Sequence, residues 1–209
     1  MKPKLFLIVF LIATALYSQD FEGVVTYKVE YPKNNSSLTE QELKKELGTA
    51  VTTYFKNGFY KEHTNSKFMS YQLFRHTDSL IYYKNDSKSD TLLFYRADTK
   101  TGEEFSYEIE KKTDTILGYI CDKLSIKDKY GTKTYYYSSK LSLDPNYYKS
   151  FTISNKDKVV MLMQAIYLRL EMSYSALSID IIATDIKRKK LKKSTFRIPK
   201  HRVLIESKL

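Results

Sequence analysis

The sequence predicts a mainly β fold, an antiparallel sheet with one or two short helices, and three observations carry that prediction. Phe21, Gly23, Val25, Tyr27, Val29 and Tyr31 alternate with a second face that holds Glu22, Thr26, Lys28 and Glu30, the period of a half-buried strand. Asn57-Gly58 sits between two runs rich in Tyr, Phe and Thr, which is the signature of a two-residue hairpin turn. Further short runs with β-type composition follow at close spacing, with no strand-helix-strand rhythm that would signal a parallel sheet.

The chain opens with MKPKLFLIVFLIATALYSQD: Lys2 and Lys4, an apolar run from Leu5, then small and polar residues. This is the pattern of a secretory signal peptide over residues 1–18, and a membrane-spanning helix would need roughly 20 apolar residues. Residues 19–209 are then one β-rich domain. Loss of the signal removes two of the 35 basic residues, so 33 stand against 24 acidic ones and the net charge is +9. No cysteine lies near the cut to carry a lipid, so the expected location is the periplasm or the medium outside the cell.

Element by element, FEGVVTYKVEY is a strand with Phe21, Gly23, Val25, Tyr27, Val29 and Tyr31 on its inner face. In SSLTEQELKKELG, Ser37 and Glu40 have capping-box spacing, Leu43 and Leu47 share a face, Glu40 can pair with Lys44, and Gly48 ends the helix. TTYFKNGFYKEH is the hairpin. YQLFRHTDSLIYYK, DTLLFYR, EFSYEIEK, TILGYICDKLSI and TKTYYYS read as further strands, separated by links such as Asn85-Asp86-Ser87 and Asp128-Lys129-Tyr130-Gly131. MLMQAIYLRLEMSY and SALSIDIIATDIKR read as two long strands about a Ser-Tyr-Ser turn. Met, Leu, Gln and Ala favour some helix from Val159 to Ala165, and STFRIPK reads as a last short strand.

The strand after the signal, TILGYICDKLSI in the middle and the closing ATDIKRKKLKKSTFRIPK together resemble the GLPGLI-type exported β-sheet proteins of Bacteroidota. Those are similar in pattern to the lipoprotein-carrier fold (LolA/LolB-like). The resemblance implies a curved, half-barrel sheet with helices across its concave side, and an exported protein; it implies no catalytic residue.

Few residues suggest chemistry. Cys121 is the only cysteine, so no internal disulfide can form. Lys123 nearby could activate its thiol, but His63, His76 and His201 form no motif around it, and an inert, buried or half-buried thiol is expected. No zinc-type spacing, phosphate loop or nucleophile elbow is present. Asp78, Asp86, Asp90 and Asp98 sit in or beside turns, and the sequons at Asn34, Asn35 and Asn85 read as turn polarity. The expectation is a protein with no catalytic residues, metal or cofactor.

Two features concern binding. Tyrosine is abundant, as in Tyr82-Tyr83, Tyr135-Tyr136-Tyr137 and Tyr147-Tyr148, which suits a partly wet cavity wall as well as an ordinary two-faced sheet. The run KRKKLKK holds Lys187, Arg188, Lys189, Lys190, Lys192 and Lys193. It reads as contact with an anionic membrane surface or as a solvated hairpin turn; export argues against nucleic acid. The expected function is therefore an envelope protein that binds a lipid, a lipoprotein acyl chain or another apolar ligand in the concavity of its sheet. The alternative is an interaction module that docks a protein or polysaccharide without carrying a ligand.

Overall fold

A computed structural model describes residues 20–86 and 88–207. The predicted signal peptide, residues 1–18, lies outside the described residues.

One open sheet of twelve strands organises the chain. The first half is a meander: β1 (Gly23–Asn34), β2 (Ala50–Lys56), β3 (Phe59–Thr64), β4 (Tyr71–Arg75), β5 (Leu80–Lys84) and β6 (Thr91–Arg96). The second is another: β7 (Ser106–Ile116), β8 (Tyr119–Lys127), β9 (Gly131–Ser142), β10 (Ala165–Tyr174) and β11 (Leu177–Arg188). Antiparallel pairing of β1 with β11 joins the two halves. The last strand, β12 (Val203–Glu206), runs parallel to β6 at the far edge, which departs from the wholly antiparallel expectation.

That exception has a traceable cause. After β11 the chain crosses the outer face of β2 to β6, where Phe196 packs among Tyr71, Leu73, Tyr82 and Leu92. The crossing delivers the chain to Asp90, whose carbonyl accepts from the Arg202 N–H, and so sets β12 alongside β6 in the same direction. The segment STFRIPK is thus a 3-10 turn (Lys193–Phe196) followed by extended chain, not the last strand. Phe196 acts as its plug, and Pro199 has no N–H to give a ladder.

The sheet is strongly curved. Tyr95 of β6 and Lys133 of β9 are eight strand positions apart, roughly 38 Å in a flat sheet, yet they line one cavity. In the concavity lie residues 143–155 and the helix α2 (Lys156–Met163), which presents Val159, Val160 and Met163 to the core. This helix starts and stops slightly earlier than the composition predicts, because Gln164 takes a left-handed conformation and returns its N–H to the Val160 carbonyl.

The other helix, α1 (Glu40–Leu47), covers the far end of β1 through Leu43, beside Val29 and Tyr31. Its capping box is Thr39 with Glu42, not Ser37 with Glu40: the Glu42 N–H donates to Thr39 Oγ1 at 3.3 Å and the Thr39 N–H to Glu42 Oε2 at 2.8 Å. Both pairs have the required spacing, and the helix start decides between them. Glu40 and Lys44 pair at 2.6 Å, Gly48 forms the C-cap, and Leu47 stays 36% exposed, so Leu43 alone anchors the helix.

Strand β1 and the two residues before it follow the predicted alternation, with Phe21, Gly23, Val25, Tyr27, Val29 and Tyr31 all buried. TILGYICDKLSI, by contrast, is not one strand. Leu117 and Gly118 both have positive φ (49° and 79°), so they form the turn of a hairpin between β7 and β8. The Asn57-Gly58 hairpin forms as expected, with φ of 45° and 77°.

These two turns give a paired prediction. A Cβ at Gly118 would meet nothing within 4 Å, so Gly118→Ala should cost only the left-handed backbone penalty, about 1–2 kcal/mol. At Gly58 a Cβ would lie 2.3 Å from the Cβ of Tyr147, so Gly58→Ala should lose clearly more. Thermal denaturation of both variants checks the order, and equal losses would contradict it.

Candidate functional site

The inner face of β3, β4 and β6 and that of β9 and β10 turn toward each other around α2. Between them lies an open cleft of about 340 Å³. A narrower pocket of about 50 Å³ continues from it toward Phe55, Tyr148 and Ile166. Tyr60, Glu62, Lys156 and Tyr167 line both spaces and mark the junction.

Alternation explains which side chains arrive there. Tyr60, Glu62, Gln72 and Tyr95 share the inward parity of their strands with Phe55, Phe74 and Ile81, all core residues. The Tyr60 hydroxyl donates to Gln72 Oε1 at 2.8 Å, and Gln72 Nε2 donates to the Tyr95 hydroxyl at 3.4 Å. From the opposite wall, Tyr167 packs its ring at a tilt of 36° against Tyr27 with centroids 5.2 Å apart, while the Tyr27 hydroxyl donates to the Tyr167 carbonyl at 3.0 Å. Lys156, the first residue of α2, holds its ammonium 5.9 Å from the centre of the Tyr167 ring.

Two charges meet at this junction. Burial pushes the Glu62 carboxyl above its ordinary pKa, opposed by Lys156 and by the Thr53 hydroxyl, which donates to Oε1 at 3.2 Å. Burial likewise holds the Lys156 ammonium below its ordinary value; Glu62 opposes that shift and Lys133 adds to it. The phenols stay protonated, with burial pushing Tyr95 up to about 12. The site therefore offers aromatic walls, neutral hydroxyl donors and one carboxylate with the cationic side chains of Lys156 and Lys133, which suits a ligand with an apolar body and a polar group.

Cys121 is elsewhere. It is fully buried in the main hydrophobic cluster, its Sγ donating to the Tyr119 carbonyl at 3.3 Å. Burial pushes the thiol up, and Lys123 is occupied by Glu110 at 2.6 Å, so no activation is visible. The expected buried thiol is observed. Its strand departs from simple alternation, though: Ile120 is 58% exposed while Leu124 and Ile126 are buried. Cys121→Ser should keep the hydrogen bond and cost about 1 kcal/mol, read as a small shift in urea midpoint. A thiol reagent should label the wild type only in denaturant.

The histidines are scattered. His63 packs edge-on against Tyr54 and Tyr71, His76 lies between Phe59 and Tyr147, and His201 contacts the Pro199 carbonyl. Among the described residues no group of three or more His, Cys, Asp or Glu could hold a metal ion. The tyrosine runs on strands split between faces, whereas Tyr147-Tyr148 lies in a 3-10 turn (Pro145–Tyr148) and not in the sheet. Tyr135 and Tyr137 are buried, and Tyr136 turns outward to Arg169 and Glu171.

The basic run is not a hairpin turn. Lys187 and Arg188 end β11 opposite Val24 and Gly23, with Lys187 paired to Asp185 at 2.9 Å. The Arg188 guanidinium lies 5.3 Å from the centre of the Phe21 ring and donates to the Lys140 carbonyl. The N–H groups of Lys189 and Leu191 donate to the backbone carbonyl and the carboxylate of Glu22, which start the crossing segment on its path. The side chains of Lys187, Arg188, Lys189, Lys190, Lys192 and Lys193 are exposed, while Leu191 packs beneath them.

No protein-family model and no curated protein matches the chain. Among solved structures it is similar to PNGF-II in the C2 space group, with a TM-score of 0.52 at 11% identity over 90% of this chain and 31% of that one. PNGF-II in the P21 space group gives 0.51 at 10% identity with the same coverage. The likeness is one of fold, and this chain matches about a third of the PNGF-II chain.

Proposed function

We propose that the protein is an exported envelope protein that binds, without catalysis, a lipid or other largely apolar ligand in the concavity of its curved sheet. The observation that carries this reading is the aromatic cleft of about 340 Å³ with Glu62 and Lys156 at its base. Its volume falls in the usual range for small-ligand sites, roughly 300–1,000 Å³. An apolar body would lie along Tyr60, Tyr135 and Tyr167, with its polar group at the charged junction. The signal-like residues 1–18 support the exported location, and the exposed basic run suits approach to an anionic membrane surface.

Native mass spectrometry of protein purified from its own envelope tests the reading. The wild type should carry an added mass that mild organic solvent removes, and Met172→Trp, which places a bulky ring in the cleft, should lose it. Bare protein in both cases would end the carrier reading. The docking alternative would then stand, supported by a fold that recurs as about a third of a larger chain.

A further inference from the structure

A second cavity, of about 360 Å³, lies on the outer face of the sheet where the crossing segment passes the β2–β3 turn. Its floor is aromatic: Phe59 and Phe196 face each other with centroids 5.9 Å apart. Its rim is cationic, formed by Lys56, Arg75, Lys193 and Arg197. Two of these have partners, Lys56 with Glu22 at 2.5 Å and Arg75 with Asp78 at 3.2 Å. Among the described residues neither Lys193 nor Arg197 has an acidic partner, so the pocket carries an excess of two positive charges.

The arrangement is built into the fold. Packing of the half-buried Leu191 and burial of Phe196 in the outer cluster pin the segment on both sides of Lys193 and just before Arg197. The Arg197 N–H closes the turn onto the Ser194 carbonyl at 3.3 Å. Cations collected around a concavity with apolar walls focus an attractive field for anions. Guanidinium and ammonium groups together suit a tetrahedral oxyanion, since the arginine fork meets two of its oxygens at once. An inorganic ion alone would leave most of the volume and both phenyl rings uncovered.

We propose that this outer pocket binds an organic phosphate or sulfate ester, its anionic group between Lys193 and Arg197 and its planar or apolar body on Phe59 and Phe196. The site is separate from the concave cleft and does not depend on what the cleft holds.

Calorimetric titration of the full chain with phenyl phosphate and phenyl sulfate, against inorganic phosphate and sulfate, tests this. At least one ester should bind about tenfold or more tightly than its inorganic ion, and the better ester assigns the class. Lys193→Gln and Arg197→Gln should each weaken it by about tenfold at unchanged melting temperature, since both side chains are exposed. Lys187→Gln with Lys189→Gln, on the same run but outside the pocket, should leave it unchanged. No ester binding in the millimolar range would overturn the proposal. So would equal weakening by the Lys187 and Lys189 changes, which would mark a diffuse charged surface instead of a pocket.

Discussion

Phe74→Ala is expected to lower stability by about 3–5 kcal/mol, measured by urea denaturation followed by circular dichroism. Phe74 is 0% exposed on the inner face of β4. Its ring meets Phe151 at 4.7 Å and Tyr60 and Tyr148 at 5.7 Å, so one side chain ties strand β3 to the loop segment inside the concavity. The cavity left by truncation is framed by hydrogen-bonded strands that cannot close inward, so little of the loss is recovered by collapse. Tyr107→Ala is the control: at 56% exposure on the edge strand β7, it should shift stability by no more than about 0.5 kcal/mol. A loss below about 1 kcal/mol for Phe74→Ala would mean that the concave core is not packed as described.

Replacing Glu62 by leucine and Lys156 by methionine together is expected to raise stability at neutral pH by about 1 kcal/mol, since both side chains are half-buried beside the open cleft. The folded carboxyl of Glu62 lies above its unfolded value, so ionising it costs more in the folded chain than in the unfolded one. That cost grows as pH rises from 4.5 through the folded value and is complete above it. Lys156 has the mirror behaviour: its folded value lies below 10.5, so the cost is complete below that folded value and fades as pH rises toward 10.5. The double variant should therefore gain most over the wild type in the neutral window, with the gap narrowing toward both ends. Urea midpoints across pH measure this. A double variant less stable than the wild type at neutral pH would show that the two charges hold the fold together and are not kept for a ligand.

How far the sequence reaches depends on which forces were local. Alternation in Phe21 to Tyr31 and the Asn57-Gly58 turn are local, and both were legible. The turn at Leu117-Gly118 was missed because leucine in a left-handed conformation has no compositional signal, although Gly118 offered half of one. The crossing segment was read as a hairpin because its path is set by Phe196 finding the outer cluster, a contact between distant parts of the chain. A concave sheet was expected only from the resemblance, the tyrosines suited a cavity wall and an ordinary sheet alike, and the charges of the cleft were not foreseen. Yet counting from Tyr60 in GFYKEH places Glu62 on the inner face, and a carboxylate at an inward position is the mark that could have drawn attention. Lys156 had no such mark, since it reaches the cleft only through the placement of α2. The outer pocket draws on three separate segments, residues 56–59, Arg75 and residues 193–197, and of its lining only Asn57, as a turn residue, and Lys193, as a cation, had stood out beforehand.

The central position of β1 sets an order of events at birth. The chain emerges N-terminus first, from a ribosome or from a translocation pore, so the first strand is free well before the eleventh, which lies roughly 150 residues later. During that interval the six-stranded first half can form, but one side of β1 presents bare N–H and C=O groups to any neighbouring chain. Closing the seam between β1 and β11 is then the step that turns two half-sheets into one, and it is a contact of high sequence separation, which folds slowly. A nascent chain of this kind gains from a holding factor that shields the edge of β1 until its last third has emerged.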